Sequence, residues 1–170
     1  AQNGHLEVVR ALVEAGADVN AARTTDGCTP VFMAAQKGHL ELVRALVKAG
    51  ACTTATLVGG DFDGQGAVSG AAECGHLAVL QALVDAGAPT GTALTSNGAT
   101  DLWLASWNGH ADVVRYLVNR PGVELNRPRS DPAGENLTPD IPGPGTTPLQ
   151  IAESEGHADC AAILRAAGAS

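Results

Sequence analysis

The side chains best suited to chemistry in this 170-residue chain are its five histidines and four cysteines. Histidine can serve as a general base or a metal ligand near neutral pH. Here every histidine follows a glycine, at Gly4-His5, Gly38-His39, Gly75-His76, Gly109-His110 and Gly156-His157, with intervals of 34, 37, 34 and 47 residues. Equivalent slots of a repeated scaffold do not converge on one point, so this spacing predicts structural histidines and not a catalytic or metal cluster. Cys28, Cys52, Cys74 and Cys160 form no Cys-x-x-Cys pair and no zinc spacing. They are expected as free, partly buried thiols of a reducing compartment, the cytoplasm or the nucleus. Asp61 and Asp63 begin like a calcium loop, but the twelfth position counted from Asp61 is Ala72 where a glutamate is required. The run Gly59-Gly60-Asp61-Phe62-Asp63-Gly64 lacks the lysine of a phosphate cradle. No catalytic residue, cofactor or metal site is expected.

What must position these residues is a repeat of about 33 to 34 residues with two insertions. After each Gly-His runs an apolar helix, clearest in Leu6–Val13 and Leu40–Val47, that closes on a glycine at Gly16, Gly50, Gly87 or Gly168. Nine residues before each Gly-His glycine a shorter helix begins, most plainly at Thr29-Pro30 and Thr147-Pro148, where threonine caps and proline opens the first turn. Ala34-Ala35, Ala71-Ala72 and Ala105-Ser106 keep these inner helices thin enough for units to approach. Asp26-Gly27, Asp63-Gly64 and Asn97-Gly98 mark tight turns at the tips of projecting hairpins. The third unit reads Gly66-Ala67-Val68-Ser69-Gly70, without cap or proline, and is expected to be the weakest.

This pattern resembles the ankyrin repeat, a β-turn followed by two antiparallel helices with Thr-Pro-Leu-His, Gly-His and Gly-Ala signatures. The resemblance implies an all-α repeat solenoid of stacked helix-turn-helix units with hairpin fingers. It forms one domain with a partial first repeat at 1–21, repeats at 22–55, 56–92 and 93–126, a Pro/Gly-rich insertion at 127–146 and a last repeat at 147–170. The motif histidine is replaced throughout, by Phe32, Ser69, Trp103 and Gln150. The resemblance further implies a non-enzymatic module that binds a protein partner through a concave face. Projected onto this chain, that face comprises finger residues Arg23, Thr24, Thr25 and Phe62 and inner-helix residues Met33, Gln36, Lys37, Glu73, Leu104, Trp107 and Asn108. Trp103 is expected between units. Trp107 is read either as a partner anchor or as a ring packed on the neighbouring inner helix. The stretch Leu12 to Asn20 looks like the substrate pattern of the asparaginyl hydroxylase that modifies ankyrin repeats, with Asn20 as the target.

Composition sets the outer limits. Thirty-one Ala and 21 Gly beside five aromatics describe a core of small side chains suited to closely packed helices. A net charge of −8 is the wrong sign for tracking phosphates, so nucleic acid and anionic membrane are poor partners. No Lys or Arg occurs between Ala49 and Asp112, whereas six carboxylates do, which leaves two readings: a basic partner segment or a solvated acidic face. The insertion holds Pro139-x-x-Pro142 and the sequon Asn136-Leu137-Thr138, and reads as a tolerated loop or a binding loop. Because the chain starts inside a unit, it is expected to be part of a longer protein. The alternative function is therefore the targeting or regulatory segment of a larger enzyme such as a kinase.

Overall fold

A computed structural model describes residues 3–59, 63–130 and 145–170. The described residues form α1 (Leu6–Glu14), α2 (Pro30–Gln36), α3 (Leu40–Lys48), α4 (Ala67–Glu73), α5 (Leu77–Asp85), α6 (Asp101–Trp107), α7 (Ala111–Leu117), α8 (Pro148–Ser154) and α9 (Ala158–Ala166). Among these residues there is no sheet, only isolated bridges Thr56–Gly66 and Ala93–Thr100. The chain is an all-α repeat solenoid.

Of the inner helices α2, α4, α6 and α8, three begin where the sequence supplies caps. Thr29, Thr100 and Thr147 accept from the amides of Phe32, Trp103 and Gln150 at 3.3, 3.2 and 3.3 Å. Gln150 completes a capping box by accepting from the Thr147 amide at 2.9 Å. α4 begins at Gly66 with no side-chain cap. The inner helices stack on one another in chain order, and each packs on its own outer helix, α3, α5, α7 or α9. Alanines at the inner contacts, Ala34, Ala35, Ala71, Ala72, Ala105 and Ala152, are fully buried, while the outer helices supply the bulk through Leu42, Leu46, Leu80, Leu83, Leu117 and Leu164. Small facing large is how close-packed helices fill space without voids.

The Gly-His pairs are the rivets between units. Gly38 has a φ of +74°, and a β-carbon there would lie 2.7 Å from Cε1 of His76. His39, His110 and His157 sit in the same way over Gly4, Gly75 and Gly109. The Nε2–H groups of His110 and His157 donate to the carbonyls of Glu73 and Trp107, each at 2.9 Å, so the ring of one unit satisfies the inner-helix end of the unit before it. Glycine is needed twice over, for the left-handed turn and for the room.

The fingers are closed hairpins. Arg23, Leu57, Leu94 and Arg129 donate their amides to Cys28, Gln65, Ala99 and Thr146, at 2.8 to 2.9 Å. In each, a glycine amide (Gly27, Gly64, Gly98 or Gly145) returns to the same opening residue. That glycine lies four residues on in the second and fourth units, seven in the third and sixteen in the fifth. The additional residues of the third and fifth units are thus bracketed by closed hairpin bases, where added chain leaves the stacked helices undisturbed.

Candidate functional site

The inner face is made of the fingers and the exposed sides of the inner helices, and the residues expected there differ in how open they are. Arg23 is exposed at the base of its finger, where its Nε donates to Asp26 Oδ1 at 2.8 Å and Nη2 makes a second ion-pair contact. The guanidinium holds the Asp26 carboxyl down at about 2. Thr24, Thr25 and Lys37 are exposed, Gln36 is half-buried, and Asn108 is exposed with its amide donating to the Leu104 carbonyl at 3.0 Å. Met33 is half-buried and lines a groove of about 440 Å³ beside α1, together with Val9, Val13, Val19 and Pro30. Phe62 lies outside the described residues, as do Asp61, the sequon and the Pro-x-x-Pro spacing.

Leu104 is a correction. It is 4% exposed, packed with Leu94, Ala99, Trp103 and Ile151 in a second apolar cluster beneath the fourth finger, and is closed to a partner. Its slot is held by Met33 in the second unit and by Gly70 in the third. What sequence does not reveal is that Leu104 joins Leu94 and Ile151 in one buried cluster.

Trp103 and Trp107, one helical turn apart, differ sharply. Trp103 is buried between units, donates its Nε1–H to the Thr146 carbonyl at 3.0 Å and lies under the Arg129 guanidinium, 5.6 Å from the ring centroid. It thus grips both sides of the base of the fifth finger. Trp107 is half-buried, its ring 5.5 Å from that of Trp103 and tilted by 45°. It packs against the second cluster and stays partly open to solvent.

Gln65 escaped sequence reasoning, and Asp63 takes a part that its turn motif does not announce. Gln65, fully buried at the closing position of the third finger, donates Nε2–H to Glu73 Oε2 at 2.5 Å, so Glu73 is half-buried and engaged. Asp63 accepts from the Gly59 amide at 2.7 Å and from the Thr95 hydroxyl, which joins the third finger to the fourth and lowers the Asp63 carboxyl. No spacing rule marks Gln65, since its slot is filled elsewhere by Cys28, Ala99 and Thr146.

The acidic run between Ala49 and Asp112 does not gather on one surface. Asp85 and Asp112 belong to outer helices α5 and α7, and Asp101 is buried. All four cysteines are free thiols; burial raises Cys28, Cys74 and Cys160, whereas the exposed Cys52 is lowered by hydrogen bonding to Thr54. Among the described residues no three His, Cys, Asp or Glu side chains gather as metal ligands, and no helix is long and apolar enough to cross a membrane. Asn20 is exposed but occupied: its side chain accepts from the Cys52 amide at 2.6 Å and donates to the Gly50 carbonyl at 3.2 Å. Asn126 likewise accepts from the Ser170 amide at 2.8 Å.

No curated relative matches the chain. Two family models do match it, one of ankyrin repeats in many copies over residues 1–47 and one of ankyrin repeats in three copies over residues 52–129. With histidine-over-glycine rivets, capped inner helices and closed fingers recurring at the same phase, the chain belongs to the ankyrin repeat family.

Proposed function

We propose that this chain holds a partner protein across its inner face, without catalysis of its own. Ankyrin repeats are protein–protein interaction modules. The observation that carries the reading here is Trp107, an aromatic ring with one side anchored on Trp103 and one edge open, next to exposed Asn108. A pre-packed aromatic with residual open area loses little entropy on binding, which is why such residues dominate interface energetics. Arg23, Thr24, Thr25, Gln36 and Lys37 extend the same surface. A basic segment of the partner would meet Glu73 and Asp63 and not a broad acidic field. Free thiols favour a reducing compartment, the cytoplasm first.

Affinity capture with the wild-type chain, Trp107→Ala and Lys37→Ala tests the reading. Both variants should retain helical circular dichroism and lose bound partner, Trp107→Ala by tenfold or more. Parental binding by both, or unfolding of Trp107→Ala, would remove Trp107 as a contact.

The second reading, a targeting or regulatory segment within a larger enzyme, draws on the apolar groove beside α1, which offers room for further chain. The full reading frame separates the two. Asn20 is proposed as a hydroxylation target because α1 buries no residue and can open locally at small cost. Mass spectrometry after incubation with an asparaginyl hydroxylase should show one added oxygen at Asn20 ahead of Asn126; no addition, or equal addition, removes the assignment.

A further inference from the structure

Asp101 occupies the first position of α6, where the other inner helices carry Pro30, Ala67 and Pro148. It is 1% exposed. Its Oδ1 accepts from the Ser69 hydroxyl on α4 at 2.6 Å, and its Oδ2 accepts from the Gly91 amide at 2.9 Å, so one carboxyl joins α6 to the third unit's inner helix and to the chain entering the fourth. Two neutral donors are meagre support for a buried carboxylate, which has about four lone-pair directions to satisfy and is costly to bury as an ion without a cation. The helices packed on α6 are α4, α7 and α8. Their ionisable side chains are Glu73, Asp112, Arg115, Tyr116 and Glu153, and none of them acts on this carboxyl. Glu73 is engaged by Gln65 and Glu153 by Arg165.

We propose that Asp101 is a proton-operated latch between the third and fourth units, closed when its carboxyl is neutral and loosened when it is ionised. The geometry serves the neutral form without rearrangement. The Asp101 hydroxyl can donate to Ser69 Oγ, reversing the direction of that bond, while Oδ2 still accepts from Gly91. Burial, opposed by these two hydrogen bonds, raises the carboxyl from 3.8 to about 6. Between those values the folded chain binds more protons than the unfolded one, so stability falls as pH rises through that window. The latch is fully closed below the unfolded value and fully loosened above the folded one. That is the reverse of the usual ion-paired aspartate.

The experiment follows the Asp101 carboxyl by carbon NMR across pH 3 to 8, and the protection of the Gly91 amide at pH 5 and 7.5, in the wild-type chain and in Asp101→Asn. A carboxyl midpoint above 5 and a Gly91 opening constant about tenfold smaller at pH 5 than at 7.5 are expected, with the change absent in Asp101→Asn. A midpoint below 4.5, or the same pH response in both chains, overturns the latch. Should Asp101→Asn not fold, Ser69→Ala replaces it. Removing the donor that favours the ion should move the carboxyl midpoint upward, and a midpoint that stays put or falls overturns the proposal.

Discussion

Helices α1 and α3 have nearly the same sequence, Leu-Glu-Val-Val-Arg-Ala-Leu-Val-Glu against Leu-Glu-Leu-Val-Arg-Ala-Leu-Val-Lys, and nearly opposite surroundings. Local interactions are shared: Arg10 pairs with Glu7 at 3.3 Å and Arg44 with Glu41 at 2.9 Å, both at i, i+3 on exposed faces. Burial is not shared. Val8 and Leu12 are 58% and 53% exposed, while their counterparts Leu42 and Leu46 are each 1% exposed. The difference is α2, which covers α3, whereas the corresponding side of α1 faces the 440 Å³ groove. In a solenoid the stabilisation of a helix is therefore a property of its neighbours more than of its own sequence.

The sharpest way to break that comparison is to shorten the same leucine twice. Leu46→Ala should destabilise the chain by about 2 to 5 kcal/mol in urea unfolding, because it leaves a cavity inside the stack. Leu12→Ala should cost less than about 1 kcal/mol, since half of that side chain already meets water. Equal losses would mean that α1 is covered in solution.

The rivets offer a second test. A β-carbon at Gly4 would meet His39 at 2.7 Å, the same approach that Gly38 makes to His76. Each alanine carries the left-handed backbone penalty of about 1 to 2 kcal/mol plus the clash. Gly38→Ala should nonetheless cost at least 1 kcal/mol more than Gly4→Ala, because the first unit can detach and escape the strain. In a double-mutant cycle His76→Ala should couple to Gly38→Ala, with an interaction of about 0.5 to 3 kcal/mol that removes part of the penalty. Strict additivity would show that the ring does not press on Gly38.

Hydrogen exchange refines the ordering along the stack. Amides of α1 should exchange first, those of α4 next among the interior helices, and those of α2 late. Protection of α4 equal to that of α2 would show that the missing cap at Gly66 is compensated.

Phase, element order and finger positions were legible in the chain because repetition multiplies a weak signal: one Gly-His pair means little, five in register fix the helices. The inner-face residues were legible only as positions. Whether Leu104 is open depends on the cluster it shares with Leu94 and Ile151, and whether Glu73 is free depends on Gln65 reaching it from the third finger. Such contacts join separate elements through hairpins of variable length, which no helical period encodes. Asp101, one of the six carboxylates of the acidic run, is hidden from sequence reading in the same way: it is buried, and its hydrogen-bond donors are Ser69 on α4 and Gly91.

The smallest effects are expected at the two third-unit glycines, and they should have opposite signs. Gly66 adopts an extended conformation that any residue tolerates, and a β-carbon there would meet only ordinary contacts at 3.8 Å, to the Ala55 carbonyl and the Thr56 methyl. Gly66→Ser should therefore add the hydrogen bond that Thr29, Thr100 and Thr147 make in their units, a gain of a few tenths of a kcal/mol, about the margin separating serine from glycine at this position. Gly70 sits in the middle of α4, where helix propensity alone favours alanine by about 1 kcal/mol. Its β-carbon would lie 3.2 Å from Cε2 of Phe32, an aromatic ring held 3% exposed in the unit before. That ring fills the motif-histidine slot of the second unit, and a fully packed core leaves it little room to retreat. Gly70→Ala should consequently be neutral to destabilising in the wild-type chain and should become stabilising when Phe32 is first shortened to leucine. Thermal unfolding of the four chains of that cycle measures the reversal. A plain gain for Gly70→Ala in the presence of Phe32 would mean that the glycine is a lapse in helix propensity and not the socket for its neighbour's ring.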